Sequence, residues 1–313
     1  MNLQQLRYVH EVARRGLNVS EAADALFTSQ PGVSKQIRQL ESELGIEIFT
    51  RHGKRLVAVT EPGQAVLAIA ERVLRDLDNL QQVGDEFANE AIGSLSIATT
   101  HTQARYVLPD VVRRFMQRYP QVKLELHQGN PRQVCEMVLD GTADIAIATE
   151  AISEYDELVM LPCYQWNRCV VATPRHPILQ AAPLTLEAIA RYPLITYDDA
   201  FTGRGQINKA FLGRGLKPKV VLSAIDSDVI KKYVEMDLGI GILARMAYDP
   251  VEDRKLGMID AAHLFESSTT RIGLRKRAWL RAYVYAFIEG FAPHLSRRMV
   301  ETALAGGGTD PGL

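Results

Sequence analysis

Between Ser20 and Arg55 the chain repeats apolar residues at helical spacing twice, with almost no chain in which to turn. Ser20-Glu-Ala-Ala-Asp-Ala-Leu26 reads as a short apolar helix, and Phe27-Thr28-Ser29 follows it. A second helix opens at Gln30-Pro31, where the missing N–H of proline costs little. Val33, Ile37, Leu40 and Leu44 recur every three or four residues and share one helical face. Gln30, Ser34 and Arg38 fall on another face, with Lys35 beside them. The spacing predicts a helix-turn-helix whose second helix packs by one face and is free to enter a major groove by the other. A solvated polar face on an ordinary small helical domain is the alternative reading.

The flanks extend the pattern. Leu3, Leu6, Val9 and Val12 mark a first helix, Gly16-Leu17-Asn18 breaks it, and Ser20 is placed to cap the next. Gly45 ends the helical run. Ile46–Phe49 and Leu56–Val59 then bracket Thr50-Arg51-His52-Gly53-Lys54-Arg55, a short hairpin or wing with cations at its tip. In such a head, Gln30, Ser34 and Arg38 suit base edges, Arg being the usual partner of guanine. Pro31 belongs to the first turn of the reading helix. Lys35, Arg51, Lys54 and Arg55 suit phosphates, which set register without reading sequence. The net charge of −1 means that this basic character is local, not a property of the whole chain.

At 313 residues the chain has room for two or three domains, and 47% hydrophobic residues supply ordinary cores. No window approaches the ~20 apolar residues that span a bilayer. Met1-Asn-Leu-Gln-Gln-Leu-Arg7 lacks the apolar core of a signal peptide, so a cytoplasmic protein without membrane attachment is expected. Cys135, Cys163 and Cys169 lack metal-ligand spacing and read as reduced structural thiols. His101 has no partner at ligand spacing either, so neither a metal nor another cofactor is expected.

The head is expected to occupy residues 1–62. Residues 63–92 follow as a long helix without proline, spanning roughly 40 Å at 1.5 Å per residue. Val66, Ala70, Val73, Leu77, Leu80 and Phe87 give it a coiled-coil seam, with Gly84 as its weak link. An amphipathic helix lying on its own domain's core is the alternative. From Gly93 strand and helix patterns alternate, which implies an α/β domain of mostly parallel sheets covered by helices. Two such units are expected within residues 93–295: subdomain I from 93–163 and 268–295, subdomain II from 164–267. Ligand should lie between them at the carboxyl ends of the strands. Residues 296–313 read as a tail, loose over Gly306–Gly312.

The strand ends carry the second constellation. Thr99-Thr100-His101-Thr102-Gln103 stands where a strand gives way to a helix, Thr149 follows another strand, and Thr202 opens a later helix. Hydroxyls and backbone N–H groups so placed hold a small tetrahedral anion or a carboxylate without a cation. Each threonine alone is more often a cap. Tyr164 and Trp166, at the expected crossover, could form an apolar wall for a ligand or serve as hinge packing. Enzyme signatures are missing: there is no Gly-x-Ser-x-Gly, no His-Glu-x-x-His, and no phosphate loop ending in Gly-Lys-Ser/Thr. A solute receptor and an enzyme are the rival classes; the basic wing opposes the first and the missing nucleophile–base pair the second.

The head residues resemble a known signature. Ala22-Ala23-x-x-Leu26, Ser29-Gln30-Pro31-Gly32-Val33-Ser34, Ile37, Leu40-Glu41, Leu44-Gly45, Phe49-Thr50-Arg51 and Val59-Thr60-x-x-Gly63 are similar to those of the LysR-type transcriptional regulators. Ile97–Tyr106, Ala146–Glu150, Val159–Tyr164, Trp166–Arg168, Phe201–Arg204 and Phe291–Leu295 carry the resemblance through the chain, toward the branch that activates sulfate assimilation and cysteine synthesis. A paralogous branch that governs sulfonate use shares nearly all of these motifs. The resemblance implies a winged helix-turn-helix, a linker helix and a two-subdomain effector domain like a periplasmic binding protein. It also implies a homotetramer on double-stranded promoter DNA, with RNA polymerase as a further partner. It implies an effector cleft for sulfate, N-acetylserine or O-acetylserine, lined by Thr100, Thr102, Gln103, Thr149 and Thr202. The C-terminal tail is shorter than is usual in that branch.

Overall fold

The computed structural model describes residues 1–53, 55–88, 92–149, 155–199 and 202–306. The chain divides into two compact units, Met1–Ala88 and Asn89–Leu313.

The first unit runs α1 (Leu3–Arg14), α2 (Val19–Ala25), α3 (Gln30–Leu44), β1 (Phe49–His52), β2 (Arg55–Val59) and α4 (Glu61–Ala88). Its core joins Leu6, Val9 and Val12 of α1 to Ala22, Val33, Ile37, Leu40, Ile48 and Phe49. Three members of the expected α3 face are buried, while Leu44 is exposed. The cap of α2 is Asn18 instead of Ser20: its Oδ1 accepts from the Ser20 and Glu21 N–H groups at 3.2 Å. Left-handed Gly16 and Leu17 turn the chain so that Asn18 meets the helix end first. Ser29 caps α3, accepting from the Gly32 N–H at 3.3 Å, and Gly45 ends it at φ +69°.

The linker helix differs from the expected seam. Val66, Ala70 and Val73, with Leu67 and Leu74, pack on the head's own core. The first half of the apolar stripe is thus spent within the unit, as a covering helix. Leu80 is exposed, and so is Ile69 on another face; the side chains at Gly84 and Phe87 lie outside the described residues. The start of α4 is clamped to the head. Thr60 Oγ1 accepts from the Gly63 N–H at 3.0 Å and donates to the Glu47 carbonyl at 2.5 Å. A Cβ at position 63 would collide with the Ile48 carbonyl oxygen, so glycine is needed for this approach.

The second unit begins β3 (Gly93–Thr99), α5 (His101–Tyr106), α6 (Leu108–Arg118), β4 (Val122–Gln128), α7 (Pro131–Leu139), β5 (Ile145–Thr149) and β6 (Leu158–Trp166). It continues β7 (Arg168–Ala172), α8 (Leu186–Ala190), β8 (Leu194–Tyr197), α9 (Thr202–Gly213), β9 (Val220–Ala224), α10 (Ser227–Glu235), β10 (Ile240–Ala244) and β11 (Gly257–Asp260). It ends β12 (Ser268–Arg275), α11 (Ala282–Phe291) and α12 (Arg297–Leu304). Two five-stranded sheets result, β4-β3-β5-β12-β6 and β11-β7-β10-β8-β9. The return of the last strand to the first sheet is as expected, but the sheets are mixed. β12 runs antiparallel to β5 and β6, and β7 antiparallel to β10 and β11.

Two expectations change, and two features go beyond them. α5 and α6 do not run on as one helix but meet at Val107, ahead of Pro109 near the start of α6. β6 was hidden by Pro162, which a sheet tolerates here because β6 is an edge strand. Because β6 pairs with β12 as far as Trp166 opposite Ser268, the crossover falls at Asn167, not at residue 164. The segment from residue 296 is no tail over its first part: α12 buries Val300, Ala303 and Leu304 in the core formed by β3, β5, β6, β12, α6 and α11. Alternation at helical spacing over Val300–Leu304 was the signal for it.

Candidate nucleic-acid interface and ligand cleft

On the head, Gln30, Pro31, Lys35 and Arg38 are exposed on α3 and Ser34 is half-buried, on the side away from Val33, Ile37 and Leu40. Arg55 is exposed on β2, and Lys54 lies outside the described residues. Arg51 has a different setting. Its Nη2 donates to Glu41 Oε2 at 2.6 Å. Glu41 is buried, and its other oxygen accepts from the Ile48 and Phe49 N–H groups at 2.9 and 3.2 Å. One carboxylate of α3 therefore holds the strand that starts the wing, and Arg51 neutralises it. Sequence reasoning met Glu41 only as part of the Leu40-Glu41 motif, because no local spacing shows an acid turned into the core to bind Arg51 and the Ile48 and Phe49 N–H groups.

In the second unit, Thr100 follows β3 and Thr149 ends β5. These strands are adjacent and parallel, with Thr99 beside Ile147, so the two threonines stand at neighbouring carboxyl ends. Both are nearly buried, and no side chain caps α5. Thr102 is the second residue of α5, half-buried, and lies near the Tyr197 hydroxyl at the end of β8 in the other subdomain. That hydroxyl shares a 2.7 Å hydrogen bond with Ser227 Oγ and accepts from the Ala244 N–H at 3.1 Å. Burial raises the Tyr197 phenol, which keeps it a neutral donor. Thr202 opens α9, and its side chain lies outside the described residues.

Gln103 is committed within subdomain I. Its Nε2 donates to Thr270 Oγ1 at 3.2 Å, and its Oε1 accepts from the Tyr164 hydroxyl. An amide has a second N–H, so one donor remains. The Tyr164 ring packs 5.9 Å from Phe291. The Trp166 ring lies under the Arg168 guanidinium at 5.1 Å and joins the core of subdomain II. Both aromatics thus pack in the sheets, which favours the hinge reading. Arg168 itself is fully buried, donating to the Glu266 carbonyl at 3.0 Å and to Ser268 Oγ at 2.8 Å. It ties together the two crossing segments.

A charged cluster joins α5 to α10. The Tyr106 hydroxyl donates to Asp228 Oδ1, Arg105 Nε lies 3.5 Å from Asp228 Oδ2, and His101 Nε2 lies at 3.8 Å. Lys231 approaches Asp228 at 3.3 Å and Asp253 at 3.0 Å, and donates to the Ala247 carbonyl. Burial pushes the Asp228 carboxyl up, but the Tyr106 hydrogen bond, Lys231 and His101 hold it below the usual carboxylate range. No sequence spacing could have paired residues more than a hundred positions apart. A cavity of about 600 Å³ opens elsewhere, lined by Thr185, Gln206, Lys209, Arg214, His263 and neighbours. All its walls belong to subdomain II, so occupancy there gives no direct leverage on the two subdomains. Among the described residues there is no cluster that could hold a metal ion and no helix long and apolar enough to cross a membrane.

Comparison with known proteins gives two family matches: the bacterial regulatory helix-turn-helix protein, lysR family, over residues 3–64, and the LysR substrate binding domain over residues 88–296. The chain is 55% identical over 306 residues to the HTH-type transcriptional regulator CysB of Burkholderia cenocepacia, covering 98% of each chain. It is also 55% identical over 296 residues to the HTH-type transcriptional regulator SsuR of that organism, covering 95% of this chain and 96% of the other. The crystal structure of the cofactor-binding domain of the Cbl transcriptional regulator superposes with a TM-score of 0.67 at 43% identity, covering 69% of this chain and 95% of that one.

Proposed function

The chain belongs to the LysR family of transcriptional regulators, and from that premise we propose that it activates genes of sulfate assimilation and cysteine synthesis in response to a small effector in the cleft of its second unit. The effector is sulfate, N-acetylserine or O-acetylserine. The observation that carries the reading is the set of neutral donors at the cleft: Thr100 and Thr149 at neighbouring strand ends, with Thr102 facing Tyr197. A tetrahedral oxyanion or a carboxylate satisfies such donors without a permanent counter-charge. The similarity to CysB supplies the sulfur context, and the Cbl relative has a domain named for binding a cofactor.

The mechanism is a shift of population. An effector that touches both subdomains favours one arrangement of them by its differential affinity, and by no more than that. Linker-helix contacts in a homotetramer carry the change to the heads, which read promoter DNA through Gln30, Ser34 and Arg38, with Lys35 and Arg55 on phosphates. Contact with RNA polymerase completes activation. Control of sulfonate use is the second reading, favoured by the equal identity to SsuR.

Footprinting of the full chain on a sulfate-transport promoter and on a sulfonate-use promoter, with and without sulfate or N-acetylserine, tests both. Protection of the first whose extent changes with effector is expected. Protection of the second alone favours the paralogous role, and protection of neither removes the sulfur assignment.

A further inference from the structure

Phe27 occupies the one residue between α2 and α3 at which the fold asks for glycine. The Thr28 N–H donates to the Ala23 carbonyl at 2.9 Å and the Phe27 N–H to the Asp24 carbonyl at 3.2 Å. Those bonds close α2 in the Schellman pattern, whose left-handed residue is usually glycine. Phe27 sits there at φ +49°, a conformation unfavourable by Cβ crowding. Its ring is also 99% exposed. A single exposed apolar residue is ordinary, and a left-handed leucine is tolerable where its side chain packs. Leu17, at φ +70°, does pack on the head's core. Phe27 has both penalties and no packing in return. Residues held in sparsely populated conformations cluster at functional sites.

The position says which function. Phe27 lies three residues before Gln30, at the end of α3 that carries the exposed Gln30 and Pro31. In a helix-turn-helix it is the N-terminal end of the second helix that meets base edges. We infer that Phe27 is a DNA-contacting residue of this regulator, its ring covering an apolar edge of the duplex. That edge is either a thymine methyl, for which Phe is a fitting partner, or the hydrocarbon face of a deoxyribose. The inference rests on the DNA-reading role of α3.

The test uses the full chain, a duplex selected by it from a random pool, and the variants Phe27→Gly and Phe27→Asn, both of which suit a left-handed residue. Expected are an unfolding midpoint in urea that does not fall and an affinity for the duplex that falls on the order of tenfold. The slope of log affinity against log salt should stay unchanged, because no phosphate contact is lost. Replacing thymines by uracil one at a time separates the two edges. A methyl contact costs the wild type about fourfold at one position and leaves Phe27→Gly indifferent; a sugar contact gives equal losses on every duplex. Wild-type affinity in both variants overturns the inference, and so does a fall in their stability. Failure of the underlying reading looks different, since Arg38→Ala would then leave binding untouched as well.

Discussion

The Tyr106 hydroxyl donates to Asp228 Oδ1 at 2.5 Å and so ties α5, the helix that follows Thr100, to the start of α10 in the opposite subdomain. Thr100 precedes the six-residue helix that holds Thr102 and ends at Tyr106, so a ligand that draws on Thr100 or Thr102 acts on the tie as well. Tyr106→Phe removes the hydroxyl and keeps the ring that lies 5.1 Å from Lys231 Nζ. The expected loss in stability of the second unit is about 1 kcal/mol, at the low end for a charge-assisted bond because Asp228 is 41% exposed. Sulfate affinity measured by calorimetry should fall by up to about fivefold if the tied arrangement is the one that binds. The Asp228 pKa is lowered in the folded state, so its contribution is present above the unfolded carboxylate value of about 3.9 and is lost as pH falls through the lower folded value. Urea midpoints should therefore show no Asp228-dependent step between pH 5 and 8. A step there that Asp228→Asn abolishes would contradict the assignment.

Arg51 and Lys35 both looked like phosphate contacts, and their settings now separate them. Arg51→Ala leaves Glu41 buried without its cation, so the head should lose roughly 2–4 kcal/mol of stability along with DNA affinity. Lys35→Ala should leave stability within about 0.5 kcal/mol, weaken all duplexes alike and lower the salt slope by about 1. Arg38→Ala should cost about 1–3 kcal/mol and relax preference at one base pair. Paired urea melts and mobility shifts over a salt series decide among these. An Arg51→Ala head as stable as wild type would return Arg51 to the phosphate class.

These separations mark what the sequence could and could not disclose. Periodicity placed α3, because Val33, Ile37 and Leu40 must share a buried face whatever the tertiary context. The same logic overextended the linker seam: Val66, Ala70 and Val73 have coiled-coil spacing, yet spacing does not say which surface covers them. Strand β6 escaped notice because Pro162 reads as a breaker until the strand is known to lie at an edge. Thr100 and Thr149 were legible as strand ends. Glu41 with Arg51, Arg168 with Ser268 and Tyr106 with Asp228 were not, since each pair is made by folding and leaves no local pattern.

Thr100→Val tests the cleft at nearly constant side-chain shape. The residue is nearly buried at the end of β3, so the change removes one donor and leaves the strand in place. Sulfate or N-acetylserine binding should weaken roughly 10- to 100-fold, as for loss of a hydrogen bond to a charged ligand. Promoter binding without effector should be unchanged. Normal sulfate affinity in this variant would move the site away from the threonines.

The three cysteines should be silent in the native chain. Cys135, Cys163 and Cys169 are free and buried, and burial pushes each thiol up to about 12. Thiolate, the reactive form, is then scarce at pH 8. A chromogenic disulfide reagent at pH 8 should report no fast thiol in the folded protein and all three in denaturant. A rapid single reaction in the native state would show that one of these sites opens on the assay's timescale.

Truncation after Leu295 separates a tail from a structural element. α12 buries Val300, Ala303 and Leu304 beside Phe287, Ile288 and Leu295, and the Arg277 N–H donates to the Leu304 carbonyl at 3.3 Å. Burial of valine and leucine side chains contributes roughly 1.5–3 kcal/mol each. Losing both, and exposing the apolar surface they cover, costs roughly 3–5 kcal/mol, a large share of the total stability of a domain. The truncated chain should unfold at clearly lower urea or fail to stay soluble, and Val300→Ala alone should cost about 2 kcal/mol. Circular dichroism across a urea series measures both. An unshifted midpoint in the truncated chain would mean that α12 contributes nothing to the fold and that the segment from residue 296 is the tail its sequence first suggested.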